Sequence, residues 1–262
     1  MTDEETFLKS LRVAPRPGPW GQRYGAAVRG ALPVGERVAV VCALAGVFAA
    51  LRRGTVSAAL VLGVDALLAA VLLALAHGRR AAPALRPLAA AGASTLALAP
   101  ALQSLTAAFS SDSVYLAATL LLILHAYAFR YSNTVAGASS PSVVALNAAL
   151  FASVLLASRL THGAAQAAAF LLYATLVFGV LPAARPRPAR TPAATAAVLA
   201  LLSLCNVLLW APTHPAALVL YAALLAVVIL VAPLFLVLVQ PLKRFVFCEA
   251  VMLLLLFEHH LF

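Results

Sequence analysis

Eight apolar stretches divide this chain and leave little between them: residues 34–51, 55–76, 88–106, 114–129, 143–157, 164–182, 193–211 and 216–239. Most approach the roughly 20 residues that carry an α-helix across a hydrocarbon core of about 30 Å. Backbone N–H and C=O groups in lipid must be paired within the segment, so these stretches read as helices. The alternating polarity of barrel strands is absent. The fourth and fifth stretches are short and must extend into flanking polar residues or cross a thinner bilayer. The expected fold is an all-α, polytopic transmembrane helical bundle of about eight spans over 34–239. A tail at 1–33 precedes it and a tail at 240–262 follows. A chain that is 64% hydrophobic and 10% charged lies far from soluble domains, where about 25% of residues are charged.

The net charge of +10 is a topology signal once it is placed along the chain. The N-terminal tail, with Arg37 at the head of the first span, holds six Lys and Arg, and alternate loops and the C-terminal tail add three, one, three and two. The intervening loops hold two, none, one and none, which makes fifteen against three. The positive-inside rule then puts both termini in the cytoplasm. This distribution argues against nucleic acid as a partner and for some attraction to anionic headgroups. Cys42, Cys205 and Cys248 show no paired spacing, so neither a zinc site nor a disulfide framework is expected. No apolar core followed by a small-residue cleavage site occurs in the first 30 residues, so the first span is expected to do the targeting.

A polar thread runs through the apolar matrix between Ser104 and Leu160. The kink expected at Pro100 points into it, and Ser110-Ser111-Asp112-Ser113 reads as a turn and helix N-cap. His125 lies about ten residues into its helix, near mid-membrane, with no second His or carboxylate at i+3 or i+4, so no metal-ligand pair is expected there. Asn147, Ala148, Phe151, Ala152 and Leu155 fall on one stripe of the fifth span, beside Ser153 and Ser158, a composition suited to close helix packing. Arg159 either snorkels to headgroups or pairs with a carboxylate such as Asp112. Elsewhere, Asp65 sits in the middle of the second span and must face the bundle, either pairing with a polar neighbour or serving a function. Trp20 and Tyr24 suit a membrane interface. In the C-terminal tail, Glu258, His259 and His260 carry too little to predict a metal site.

The order of these residues resembles a known family. Leu102-x-x-Leu105-Thr106, then Ser110-Ser111-Asp112-Ser113-Val114-Tyr115, then His125, then Asn147-x-x-x-Phe151-Ala152-Ser153-Val154-x-Leu156-Ala157-Ser158-Arg159-Leu160 is similar to the PIG-C subunit of glycosylphosphatidylinositol N-acetylglucosaminyltransferase. Weaker agreement reaches Phe7-Leu8-Lys9-Ser10-Leu11-Arg12. The resemblance implies a multi-pass protein of the endoplasmic reticulum membrane. It would be a non-catalytic subunit of the complex that moves N-acetylglucosamine from its UDP donor onto phosphatidylinositol, the first step of GPI-anchor synthesis. The implied partners are the other subunits, including a PIG-A-like catalytic subunit, and phosphatidylinositol.

On this reading no residue is catalytic and no cofactor is expected. Ser111, Asp112, Tyr115, His125, Asn147, Ser153, Ser158 and Arg159 become candidates for contact with partner helices or lipid. The alternative reading of the residues alone is a transporter of a small molecule or lipid, with Asp65, His125 and Asn147 as its polar pathway. No evident inverted repeat supports that alternative.

Overall fold

The computed structural model describes residues 19–76, 109–129, 142–160, 163–184 and 191–239, with 90, 93 and 97. Every regular element among them is helical. The span expected at 88–106, with its Pro100 kink, and the tails at 1–18 and 240–262 lie outside the described residues apart from those three positions. Two compact units are distinguished: residues 32–225, and residues 1–31 with 226–262.

Helix α1 runs Trp20–Arg53, and it corrects the expected boundary at Pro33. A proline inside a helix removes one backbone donor, yet here the helix passes through it for 34 residues. Within the larger unit, α1 is buried on nearly every side. Val40, Leu44 and Leu51 have no exposed surface, and a helix apolar all round belongs at the centre of a bundle.

Around it stand α2 (Ala58–Ala76), α3 (Ser111–Ala128), α4 (Val143–Ala157), α5 (Ala164–Thr175, continuing through Leu176–Val180 to Leu181–Ala184) and α6 (Pro192–Trp210). Helix α7 begins at Pro215–Ala226 and continues through Val227–Val231. The apolar core joins Val40, Leu44, Phe48 and Leu51 of α1 to Ala118 and Leu122 of α3, Ala149 and Ala152 of α4, and Phe170 and Phe178 of α5.

Helices α3 and α4 form the closest pair. Small side chains, Ala118 on one and Ala145, Ala149 and Ala152 on the other, are buried there and let the backbones approach. Helix α2 packs on α5 through the narrow stripe Val61, Asp65 and Leu72. Gly46 does the same service for α1 and α6, because a Cβ at that position would stand 3.1 Å from the Trp210 Nε1 and 3.2 Å from the Leu209 Cβ.

Two helices contain a wide turn with i→i+5 bonding, and proline explains both. Leu181 N–H bonds Leu176 O just before Pro182, and Ala232 N–H bonds Val227 O just before Pro233. The proline ring would clash with the carbonyl four residues back, and a wider turn relieves the clash. In the smaller unit, the Tyr24 hydroxyl donates to Leu230 O at 3.3 Å, and Trp20 stacks on Tyr24 at 5.5 Å.

Four described helices are long and apolar enough to cross a membrane: Trp20–Arg53, Ser111–Ala128, Pro192–Trp210 and Pro215–Val239. The shorter apolar helices are Ala58–Leu72, Val143–Ala157 and Ala164–Val180.

Replacing Gly46 by Leu should separate α1 from α6 and lower stability in detergent by about 1–3 kcal/mol, the usual cost of overpacking. Gly63→Ala meets nothing within 4 Å and should be neutral or stabilising by up to about 1 kcal/mol through helix propensity. Thermal unfolding of the two variants side by side checks the contrast.

Candidate functional site

The polar side chains of the larger unit gather in two layers. In the first, the ends of several helices meet. Ser110 caps α3: its hydroxyl oxygen accepts from Ser113 N–H at 3.3 Å and lies 2.8 Å from the Ser113 hydroxyl. Ser111 and Asp112 therefore occupy the exposed first turn, where a carboxylate is favoured by the helix dipole.

One turn on, Tyr115 receives a 2.6 Å hydrogen bond from Arg52 Nη1, and the guanidinium carbon stands 5.4 Å from the ring centroid. Phe48 packs edge-on against the same ring. The next residue, Arg53, donates to Thr213 O and lies 3.3 Å from His214 Nδ1 in the α6–α7 turn. Arg159, just past α4, donates to Phe109 O at 2.8 Å. The three arginines of the charge-poor loops are thus all tied to the protein.

The second layer lies about 23 Å away along α1, fifteen residues from Arg52 at ~1.5 Å per residue. Glu36 and Arg37 are buried and paired with each other. The Arg37 guanidinium stacks 4.6 Å from the centroid of Phe129, the residue that closes α3. The His125 ring lies 5.9 Å from Phe129 and 4.7 Å from Phe178, which the wide turn of α5 presents. His125 Nδ1 is 2.7 Å from Ala145 O. A carbonyl only accepts, so Nδ1 carries the proton and donates. Ser142 completes the layer by donating to Ala128 O at 2.7 Å while capping α4.

Between the layers, hydroxyls are bonded within their own helices. Ser153 donates to Ala149 O and Ser158 to Leu155 O, both at 2.7 Å, and Thr175 to Leu171 O at 2.9 Å. Asn206 bridges helices, its Nδ2 lying 2.9 Å from both Ala39 O and Leu202 O, and Trp210 Nε1 donates to Cys42 O at 3.2 Å. Asp65 is fully buried, and neither carboxylate oxygen has a hydrogen-bond partner among the described residues. The polar neighbour expected for it is not found there.

Of the residues singled out from sequence, the structure brings His125 and Ser142–Ala145 together, and Arg159 with the start of α3. It separates Asn147 from its expected stripe. Ala148 and Ala152 are buried, whereas Asn147 and Phe151 are exposed. The reason is rotation. Helices α3 and α5 clasp α4 along Ala145, Ala149, Ala152 and Leu156, which lie about 140° to 180° around the helix from Asn147.

Glu36, Arg37, Arg52, Arg53, Asn206 and Trp210 were missed as bridging groups. An adjacent ion pair inside an apolar span was visible, but its partners on other helices were not. Among the described residues, no three His, Cys, Asp or Glu side chains converge on a point suited to a metal ion.

Known proteins share this chain's pattern. The family model described as GPI2, phosphatidylinositol N-acetylglucosaminyltransferase, matches residues 1–247. A Dictyostelium discoideum protein, provisionally named as the PIG-C-type subunit of phosphatidylinositol N-acetylglucosaminyltransferase, is 32% identical over 150 residues. That alignment covers 56% of this chain and 43% of the relative, so it spans less than half of the relative's length. No solved structure matches significantly.

A double-mutant cycle of Arg52→Gln and Tyr115→Phe, read by thermal or denaturant stability, should return a coupling of about 0.5–1.5 kcal/mol. Additive effects would remove the pair as a tie between α1 and α3.

Proposed function

The chain belongs to the GPI2 family of phosphatidylinositol N-acetylglucosaminyltransferase, and from that membership we propose that it is a non-catalytic membrane subunit of the complex that glycosylates phosphatidylinositol. The complex transfers N-acetylglucosamine from UDP-N-acetylglucosamine to phosphatidylinositol at the cytoplasmic face of the endoplasmic reticulum, opening GPI-anchor synthesis. A PIG-A-like partner carries the sugar-transfer chemistry. This chain holds that partner and the other subunits, and admits the lipid from the cytoplasmic leaflet. The observation that carries the reading is the family match over residues 1–247.

The side-chain geometry supports a structural role for the signature residues. His125, Ser153, Ser158 and Arg159 each bond a backbone carbonyl. The small-residue face of α4 is occupied by this chain's own α3 and α5, so the faces left for partners on α4 are those of Asn147 and Phe151.

The proposal keeps eight spans over 34–239 and both termini in the cytoplasm. The seven described helices, with the apolar stretch 88–106, account for the spans. In this topology the arginine layer is luminal, and the layer of Arg37, His125 and Phe129 lies toward the cytoplasm.

Deleting the gene should abolish N-acetylglucosaminyl-phosphatidylinositol synthesis in microsomes supplied with UDP-N-acetylglucosamine. Undiminished synthesis would reject the proposal. The topology has its own check. With the native cysteines removed, Ala189→Cys should react with an impermeant thiol reagent in sealed microsomes, and Ser110→Cys only after permeabilisation. The opposite pattern would invert it.

A further inference from the structure

His125 is fully buried, and only one of its ring nitrogens is used. Because Nδ1 donates to Ala145 O, the neutral ring offers Nε2 as a hydrogen-bond acceptor, and no donor reaches it among the described residues. A buried acceptor without a donor is costly, so its retention calls for a ligand.

The surroundings restrict what that ligand is. Phe178 and Phe129 flank the imidazole, giving apolar ring faces. Arg37 lies on Phe129 and close enough to His125 to act on it electrostatically. Glu36 shares the charge of Arg37, so the pair attracts a bare phosphate weakly. An acceptor for a hydroxyl, aromatic faces for a ring of C–H groups, and a guanidinium already half-neutralised suit a cyclic polyol phosphate better than a simple anion.

We infer that the His125, Phe129, Phe178 and Arg37 cluster is a recognition site for the polyol phosphate headgroup of a lipid, with His125 Nε2 accepting from a ring hydroxyl and Arg37 facing the phosphate. Phe129, half-buried at the end of α3, is the one ring that touches both polar groups and closes the approach between them. The site rests on the membrane-subunit reading above and adds the discriminating atom. Selectivity comes from a neutral imidazole nitrogen, whereas a phosphate-only site would be built on cations.

The test uses the full chain in phosphatidylcholine nanodiscs doped equally with phosphatidylinositol and phosphatidic acid, with retained lipid counted by native mass spectrometry. The wild type should retain phosphatidylinositol about tenfold over phosphatidic acid. His125→Asn keeps an amide N–H in the place of Nδ1 but has no atom at Nε2, and it should fall to within about twofold. His125→Leu removes the Ala145 bond as well and reports the structural share.

Equal retention of the two lipids by the wild type, or an unchanged preference in a folded His125→Asn protein, would overturn the inference. So would displacement of the lipid by free inositol 1-phosphate at matched concentration, since the headgroup would then need no membrane anchor. Co-purification of partner subunits, followed in the same preparations, reports on the complex itself and separates a failed lipid site from a failed subunit assignment.

Discussion

Charge inside an apolar matrix is tolerated only in company, and helix α1 carries most of the charge that the described part of this chain brings inward. Desolvating a guanidinium or carboxylate costs several kcal/mol unless a partner is at hand. Glu36 and Arg37 meet that cost first with each other, and then with the ring of Phe129. Arg52 and Arg53 meet it at the other end with Tyr115, Thr213 and His214. Each pairing fixes the rotation of a second helix against α1. The bundle of the larger unit is therefore pinned at two levels, with apolar packing between them.

That arrangement gives the middle of the unit little to do chemically. Its hydroxyls fold back onto their own helices, as Ser153 and Thr175 do. Asn206 spans to α1, and Gly46 lets α6 come close enough for that bond. Asp65 stands apart as a buried carboxylate on the stripe where α2 meets α5. The polar resources of the chain are spent on holding helices in register, which suits a subunit that positions partners and lipid while the transfer chemistry takes place elsewhere.

Much of the architecture was legible in the sequence because lipid leaves the backbone few choices. The span expected at 143–157 coincides with α4, and the Ser110 cap was signalled by a serine-rich turn before an apolar run. The start of α1 was not legible. Pro33 is ordinarily a stop, and only packing shows that a long helix carries it. The rotation of α4 was hidden for a related reason. Alanine dominates several of its faces, so composition could not distinguish the buried one, and Asn147 was placed inward when it faces out. The arginine ties and the Phe129 stack join residues far apart in sequence, and their partners depend on helix rotations that no local pattern encodes. The resemblance in the signature blocks compensated for this, since it identified His125 and Arg159 as joint members of one constellation before their contacts were known.

The central claim is that this chain organises a transferase without performing the transfer. It is tested most directly by adding UDP-N-acetylglucosamine to phosphatidylinositol liposomes that contain the purified chain alone, its partner subunits without it, or all of them together. The account predicts N-acetylglucosaminyl-phosphatidylinositol only in the complete mixture. Sustained turnover by this chain alone would contradict it.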